Sequence, residues 1–305
     1  MATGSPPLHR GPKFNWPPRK PDADAEAPSP TPAQTLAPLP PVRPSAWSRF
    51  EETWLDVVSP PLSRRLAAIN WSPDDPSAYC HRCGATVGPY ETDRTGCSSC
   101  RDRRIPWTRL VRLGDFEHPL RSLVHEVKFT HWRRLGRDLG RLLGRSVAAA
   151  IEQARADPSR WKALPVGPPV IVPVPMSLPR RLFRGIDHTH EIAVGVAEAA
   201  GGRVVHALRR SHGPSQLAVP QSERAANVAR SIHPRLIPRP GPLLAGRLVI
   251  VVDDVTTTGA TMRAACRAAK AACKVLGPGA APEVWAGVVA KTPRTTGDGR
   301  RRIQP

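Results

Sequence analysis

The chain has 305 residues, 45 Lys and Arg against 25 Asp and Glu, and a formal net charge of +20. An apolar share of 40% excludes a wholly disordered chain, and six cysteines are too few for a disulfide scaffold. A pI near 11.1 directs attention to nucleic acid, phosphorylated substrates or anionic surfaces as partners.

Residues 1–46 are rich in proline, alanine, serine and threonine, a composition that buries too little apolar area to offset its ordering entropy, and read as a disordered tail. Over 47–78 the apolar positions Trp54, Leu55, Val58, Leu62, Leu66 and Ile69 approach helical spacing but are interrupted by Pro60 and Pro61, which predicts a short helical lead-in. Met1 to Arg10 carries no apolar stretch of the leader type and no run approaches the roughly 18 apolar residues of a membrane span. The expected location is the cytoplasm.

In 79–105, Cys80-x-x-Cys83 and Cys97-x-x-Cys100 have the spacing of two metal knuckles, with Gly84 and Gly96 where each turn needs backbone freedom. Four thiolates close a tetrahedral site with no open position, so the pattern predicts a structural zinc ribbon without catalytic chemistry. His81 is a competing ligand, and two redox CxxC pairs are the alternative.

From 119 to 151 apolar residues recur every three to four positions, which predicts one long or two consecutive amphipathic helices. Arg121, Arg133, Arg134, Arg137, Arg141 and Arg145 fall on the polar side and read as a solvated face, with a track for a phosphate backbone as the alternative. Apolar strand runs at 170–174, 204–208, 248–252 and 284–289 then alternate with helical patterns at 188–200 and 260–272. That alternation predicts an α/β domain over 106–293, a mainly parallel sheet flanked by helices. Cys266 and Cys273, about 10.5 Å apart along one helix at 1.5 Å per residue, read as small core residues. Residues 294–305 form a basic tail.

The most informative stretch is the apolar run 248–252 followed by Asp253, Asp254, Val255, Thr256, Thr257, Thr258, Gly259, Ala260 and Thr261. A buried strand that stops in two carboxylates places them at the carboxyl edge of a sheet, where α/β folds bind ligands. Hydroxyls, loop amides and the N-terminus of the next helix then form a phosphate cradle. Acids beside such a cradle suit a sugar phosphate, accepting hydrogen bonds from its hydroxyls or meeting Mg²⁺. No Walker A, HExxH or GxSxG pattern is present.

Residues 249–261 resemble the phosphoribosyl pyrophosphate motif of type I phosphoribosyltransferases. The order of ribbon, Val127-Lys128-Phe129, Val172-Pro173-Val174-Pro175, Arg184-Gly185, Gln216, Arg224 with Asn227, and the Asp-Asp loop resembles the ComF competence family over about 80–292. The resemblance implies a glycosyltransferase fold and activity in which Asp253 and Asp254 hold the ribose hydroxyls, directly or through Mg²⁺. It implies that Thr256, Thr257, Thr258, Gly259 and Thr261 hold the 5-phosphate, and that Met176 and Ser177 form the pyrophosphate loop with Arg184 meeting its charge. The stretch 209–227 corresponds to a closing loop, which makes Arg210, Gln216, Arg224 and Asn227 contact candidates. Where the family carries Arg-Gly-Phe-Asn-Gln, this chain has Arg184-Gly185-Ile186-Asp187-His188, which sets a carboxylate near the pyrophosphate and requires Mg²⁺ or Arg184 to offset it. His188 reads as a first-turn helix residue, the alternative being a buffer of the Asp187 charge. The partners implied are phosphoribosyl pyrophosphate, single-stranded DNA and a competence helicase. The alternative is a non-catalytic factor that binds nucleic acid or docks a partner through the ribbon and basic surface.

Overall fold

The computed structural model describes residues 61–129, 133–176, 187–211, 231–236, 239–277 and 280–293. The expected tails, most of the lead-in, and Ser177, Arg184, Gln216, Arg224 and Asn227 lie outside the described residues.

In chain order the elements begin with α1 (Leu62–Ala68), β1 (Thr92–Asp93), β2 (Gly96–Cys97), β3 (Arg109–Asp115), α2 (Leu120–Phe129), α3 (Arg133–Ala156) and β4 (Val170–Pro173). They continue with α4 (His188–Ala200), β5 (Arg203–Val204), β6 (Leu208–Arg210), β7 (Ile232–Pro234), α5 (Gly241–Leu244), β8 (Leu248–Thr256), α6 (Ala260–Cys273) and β9 (Glu283–Lys291). The main sheet runs in the order β3-β9-β8-β4-β5, and each of its four pairings is parallel. The expected mainly parallel sheet flanked by helices is therefore present. Among the described residues no helix is long and apolar enough to cross a membrane.

The central strand β8 is apolar throughout its first five residues because both of its faces are covered. Leu248, Ile250 and Val252 join Leu139, Leu143 and Ile192 on one side, and Val249 and Val251 join Met262, Ala265 and Ala269 on the other. Each of the leucines, isoleucines, valines and Met262 contributes about 1.5–3 kcal/mol on leaving water. Cys266 and Cys273 are buried in the second of these layers, as expected of core residues.

The 119–151 pattern resolves into α2 and α3. α3 approaches α4 so closely that a Cβ on Gly140 would lie 2.1 Å from the Ile192 carbonyl oxygen, and one on Gly195 would lie 2.0 Å from that of Arg137. This contact changes the role of the arginine face. Arg137 donates to Glu191 at 2.9 Å and Arg141 to Glu198 at 2.8 Å, so these two stitch α3 to α4 instead of facing solvent alone. The 204–208 run also differs from expectation. It divides between β5 in the main sheet and β6, which pairs antiparallel with β7.

β3 is a strand that the apolar pattern does not announce, because its arginines turn inward. Arg112 is fully buried and bridges Asp74 at 2.6 Å and Asp115 at 2.5 Å, while donating to the Gly84 carbonyl at 2.9 Å. Arg109 lies over the Trp161 ring, 4.2 Å from its centroid. The free side of β3 is covered by the ribbon and the lead-in before it: Leu110 N–H donates to the His81 carbonyl, and Asp74 N–H to that of Leu113, both at 2.7 Å.

Candidate thiolate centre and carboxylate–threonine turn

The four cysteines come from two tight turns. Gly84 at φ +72° and Gly96 at φ +105° occupy the left-handed region, as expected of knuckle glycines. Gly96 is doubly constrained, since a Cβ there would lie 2.6 Å from Cys100 Sγ. Arg82 supports the second turn from outside, donating to the carbonyls of Thr95, Arg101 and Arg103 at 2.7, 3.0 and 2.8 Å.

The sulfurs of Cys80, Cys83, Cys97 and Cys100 all lie within 4.8 Å of one another. Three of the separations are 3.7 Å for Cys80–Cys100, 3.6 Å for Cys83–Cys97 and 3.8 Å for Cys97–Cys100. Tetrahedral ligands each about 2.3 Å from one zinc ion would be about 3.8 Å apart, so these three separations fit a metal such as zinc. The ring of His81 instead meets Trp161 edge-on at 5.1 Å.

At the other site, β8 does not stop at Val252. β9 is equally long, and Asp253, Val255 and Thr256 remain in register with Val288, Ala290 and Lys291. Continued pairing carries both acids along the strand to its carboxyl end. Thr257 and Thr258 then turn outward, and Gly259 at φ +76° starts α6. The first-turn amides of that helix have no intrahelical acceptor, so the loop presents donors there, with Thr261 half-buried behind them. Lys291 Nζ fixes the turn by donating to the carbonyls of Thr257 at 2.7 Å and Thr292 at 3.1 Å.

Asp254 is buried and meets two nitrogen groups on one oxygen. Lys128 Nζ, from the end of α2, and His188 Nε2, from the first residue of α4, each lie 2.9 Å from Oδ2. His188 stands there because Asp187 caps α4, its carboxylate accepting from the His190 amide at 3.1 Å. Asp187 thus has a structural partner. Burial works to raise the Asp254 carboxyl, but the hydrogen bond from His188 and the charge of Lys128 outweigh it and hold the group below the usual carboxylate range. Burial and then the Asp254 charge push Asp253 the opposite way, against the Asp254 amide and the charges of Lys128 and Arg210. The pair therefore places its negative charge on Asp254 first.

The structure brings Asp253, Asp254, Thr256, Thr257, Thr258, Gly259 and Thr261 to one sheet edge. Val174 N–H donates to the Val252 carbonyl at 2.9 Å, which lays the chain through half-buried Met176 beside that edge. Arg210, at the end of β6, is near enough for its charge to act on Asp253. Lys128, His188 and Lys291 were not assigned to the site from sequence. Two of them were signalled, Lys128 by the Val127-Lys128-Phe129 motif and His188 by its place beside Asp187 in the stretch 184–188.

No protein-family model matches the chain. It is 29% identical to DNA utilization protein YhgH of Salmonella typhi over 189 residues, covering 61% of this chain and 74% of that protein. It is 26% identical to Competence protein F of Haemophilus influenzae over 186 residues, covering 60% and 75%. A shorter match, 33% over 96 residues, links 29% of the chain to 52% of the adenine phosphoribosyltransferase of Saccharopolyspora erythraea. Parallel sheet, thiolate cluster and these similarities together bear out the resemblance to the ComF competence proteins, with a phosphoribosyltransferase as a more distant relative.

Proposed function

We propose that the turn after β8 binds the phosphoribosyl moiety of phosphoribosyl pyrophosphate, and that the chain serves DNA uptake or utilisation, as the names of its relatives suggest. The observation that carries this reading is the direct succession of two edge carboxylates, a threonine–glycine turn and the start of the 14-residue helix α6. The hydroxyls of Thr257, Thr258 and Thr261 and the first amides of α6 would hold the 5-phosphate. Asp253 and Asp254 would accept hydrogen bonds from the ribose hydroxyls and fix the ring.

The same two carboxylates offer the hard oxygen donors that Mg²⁺ requires, and the seating of Lys128 on Asp254 supports the presence of a cation beside them. Bound Mg²⁺ would supply charge neutralisation on the diphosphate. In the transferase reaction, the bond from the anomeric carbon to the diphosphate oxygen breaks and one to an acceptor nitrogen forms, the nitrogen losing a proton. This chain's residues would contribute orientation of the ribose by Asp253 and Asp254 and positive charge from Arg184 and Arg210. No protein nucleophile is needed.

Calorimetric titration with phosphoribosyl pyrophosphate, with and without Mg²⁺, tests the reading. Saturable binding that is lost in Asp253→Asn supports it, and no binding under either condition overturns it. The net charge of +20 and the ribbon favour a second reading, nucleic-acid binding without catalysis. It predicts salt-sensitive single-strand binding that survives Asp253→Asn and weakens on metal chelation.

A further inference from the structure

A cavity of about 360 Å³ lies where the ribbon meets the sheet domain, lined among others by His81, Arg82, Arg94, Trp107, Arg160 and Trp161. Neither Asp253, Asp254 nor any residue of the threonine turn lines it, and its wall contains no carboxylate. The volume is that of a small-molecule site.

The wall divides by chemistry. The Arg82 guanidinium is committed to ribbon carbonyls, whereas Arg94 and Arg160 are exposed at the rim. The Arg160 guanidinium lies 5.5 Å from the centre of the Trp161 ring, so an anion arriving there meets a cation already held above an aromatic surface. Trp107 is buried, with its indole N–H donated to the Arg82 carbonyl at 2.8 Å. Trp161 Nε1 is buried and has no hydrogen-bond partner among the described residues.

An inorganic phosphate alone would fill a small part of this volume and leave the aromatic wall facing water. A phosphate joined to a planar ring uses both halves. We propose that the junction cavity is a second ligand site, for a nucleotide whose phosphate meets Arg94 and Arg160 while its base packs among His81, Trp107 and Trp161. A free mononucleotide and the terminal unit of a strand share this chemistry. The site stands independently of the sugar-diphosphate reading.

The test is calorimetry on the full, zinc-loaded chain with adenosine monophosphate, adenosine, inorganic phosphate and a short oligothymidylate. Saturable binding of the monophosphate or the oligonucleotide is expected, weakened about tenfold or more in the Arg94→Ala, Arg160→Ala double variant, the scale of a charge-assisted contact. Zinc content and melting temperature should not change in that variant, since both side chains are exposed. Asp253→Asn should leave this binding intact, which separates it from the other site. Competition by oligothymidylate assigns the strand as the source, and binding of the monophosphate alone assigns the free nucleotide. The proposal is overturned if neither binds, if the double variant binds as tightly as the parent, if Asp253→Asn abolishes binding, or if phosphate alone binds equally well.

Discussion

The thiolate centre and the carboxylate–threonine turn are both built from short, local motifs, yet they differ in what each still needs. Around the cysteines, turns, glycines and the Arg82 clamp all serve to hold four sulfurs at the spacing one metal ion requires, and every donor faces inward. At the end of β8, the threonines face outward and the two acids differ in proton affinity, with Lys128 and His188 both on Asp254. A centre of the first kind is tied to stability. One of the second kind keeps its acids paired inside and leaves its hydroxyls at the surface.

That contrast can be broken most forcefully at the cysteines. Cys83→Ser is expected to lower zinc affinity by orders of magnitude and to unfold the ribbon, because a structural zinc supplies on the order of 10 kcal/mol of folding energy in small domains. Metal analysis and thermal melting check this, and a fully metallated variant of parental stability would break the comparison. Next in size is Arg112→Ala, which removes the shared partner of Asp74 and Asp115 at the join between ribbon and sheet. It should cost about 1–3 kcal/mol in urea unfolding, since Arg112 is buried but the two aspartates it leaves are part-exposed and can be hydrated.

Asp254→Asn should separate the two regions cleanly. Binding of phosphoribosyl pyrophosphate is expected to fall at least about tenfold in titration, the loss of one charge-assisted contact, with zinc content unchanged. A parallel loss of zinc would merge what the structure keeps apart. The smallest effect concerns pH. The folded Asp254 carboxyl is lower than the unfolded one, so it stabilises the fold above the unfolded value near 3.9 and loses that contribution as pH falls through the lowered value. Lys128→Met removes one cause, so the gap between its melting temperature and the parent's should be open near neutral pH and narrow toward the acid end.

Much of this architecture was legible because the decisive information is local. The run 248–261 declares strand, acids, turn and helix in consecutive residues, whereas the capping role of Asp187 emerged only with the start of α4. β3 was hidden because Arg109 and Arg112 interrupt its apolar run, and their burial depends on Gln153, Asp74 and two tryptophans distant in sequence. The contacts of Lys128 and His188 with Asp254 were equally invisible, since three separate elements must be assembled before they exist. The polar side of α3 misled for a related reason. Arginines that read as solvated acquire partners only when the glycines admit α4.

The seating of the ribbon along β3 has a consequence for the behaviour of the protein in a cell. A sheet border that lacks its cover is a template onto which another chain can add, and here the cover holds its shape through four cysteines. Metal withdrawal or thiol oxidation at the cysteines is therefore expected to show as self-association in solution.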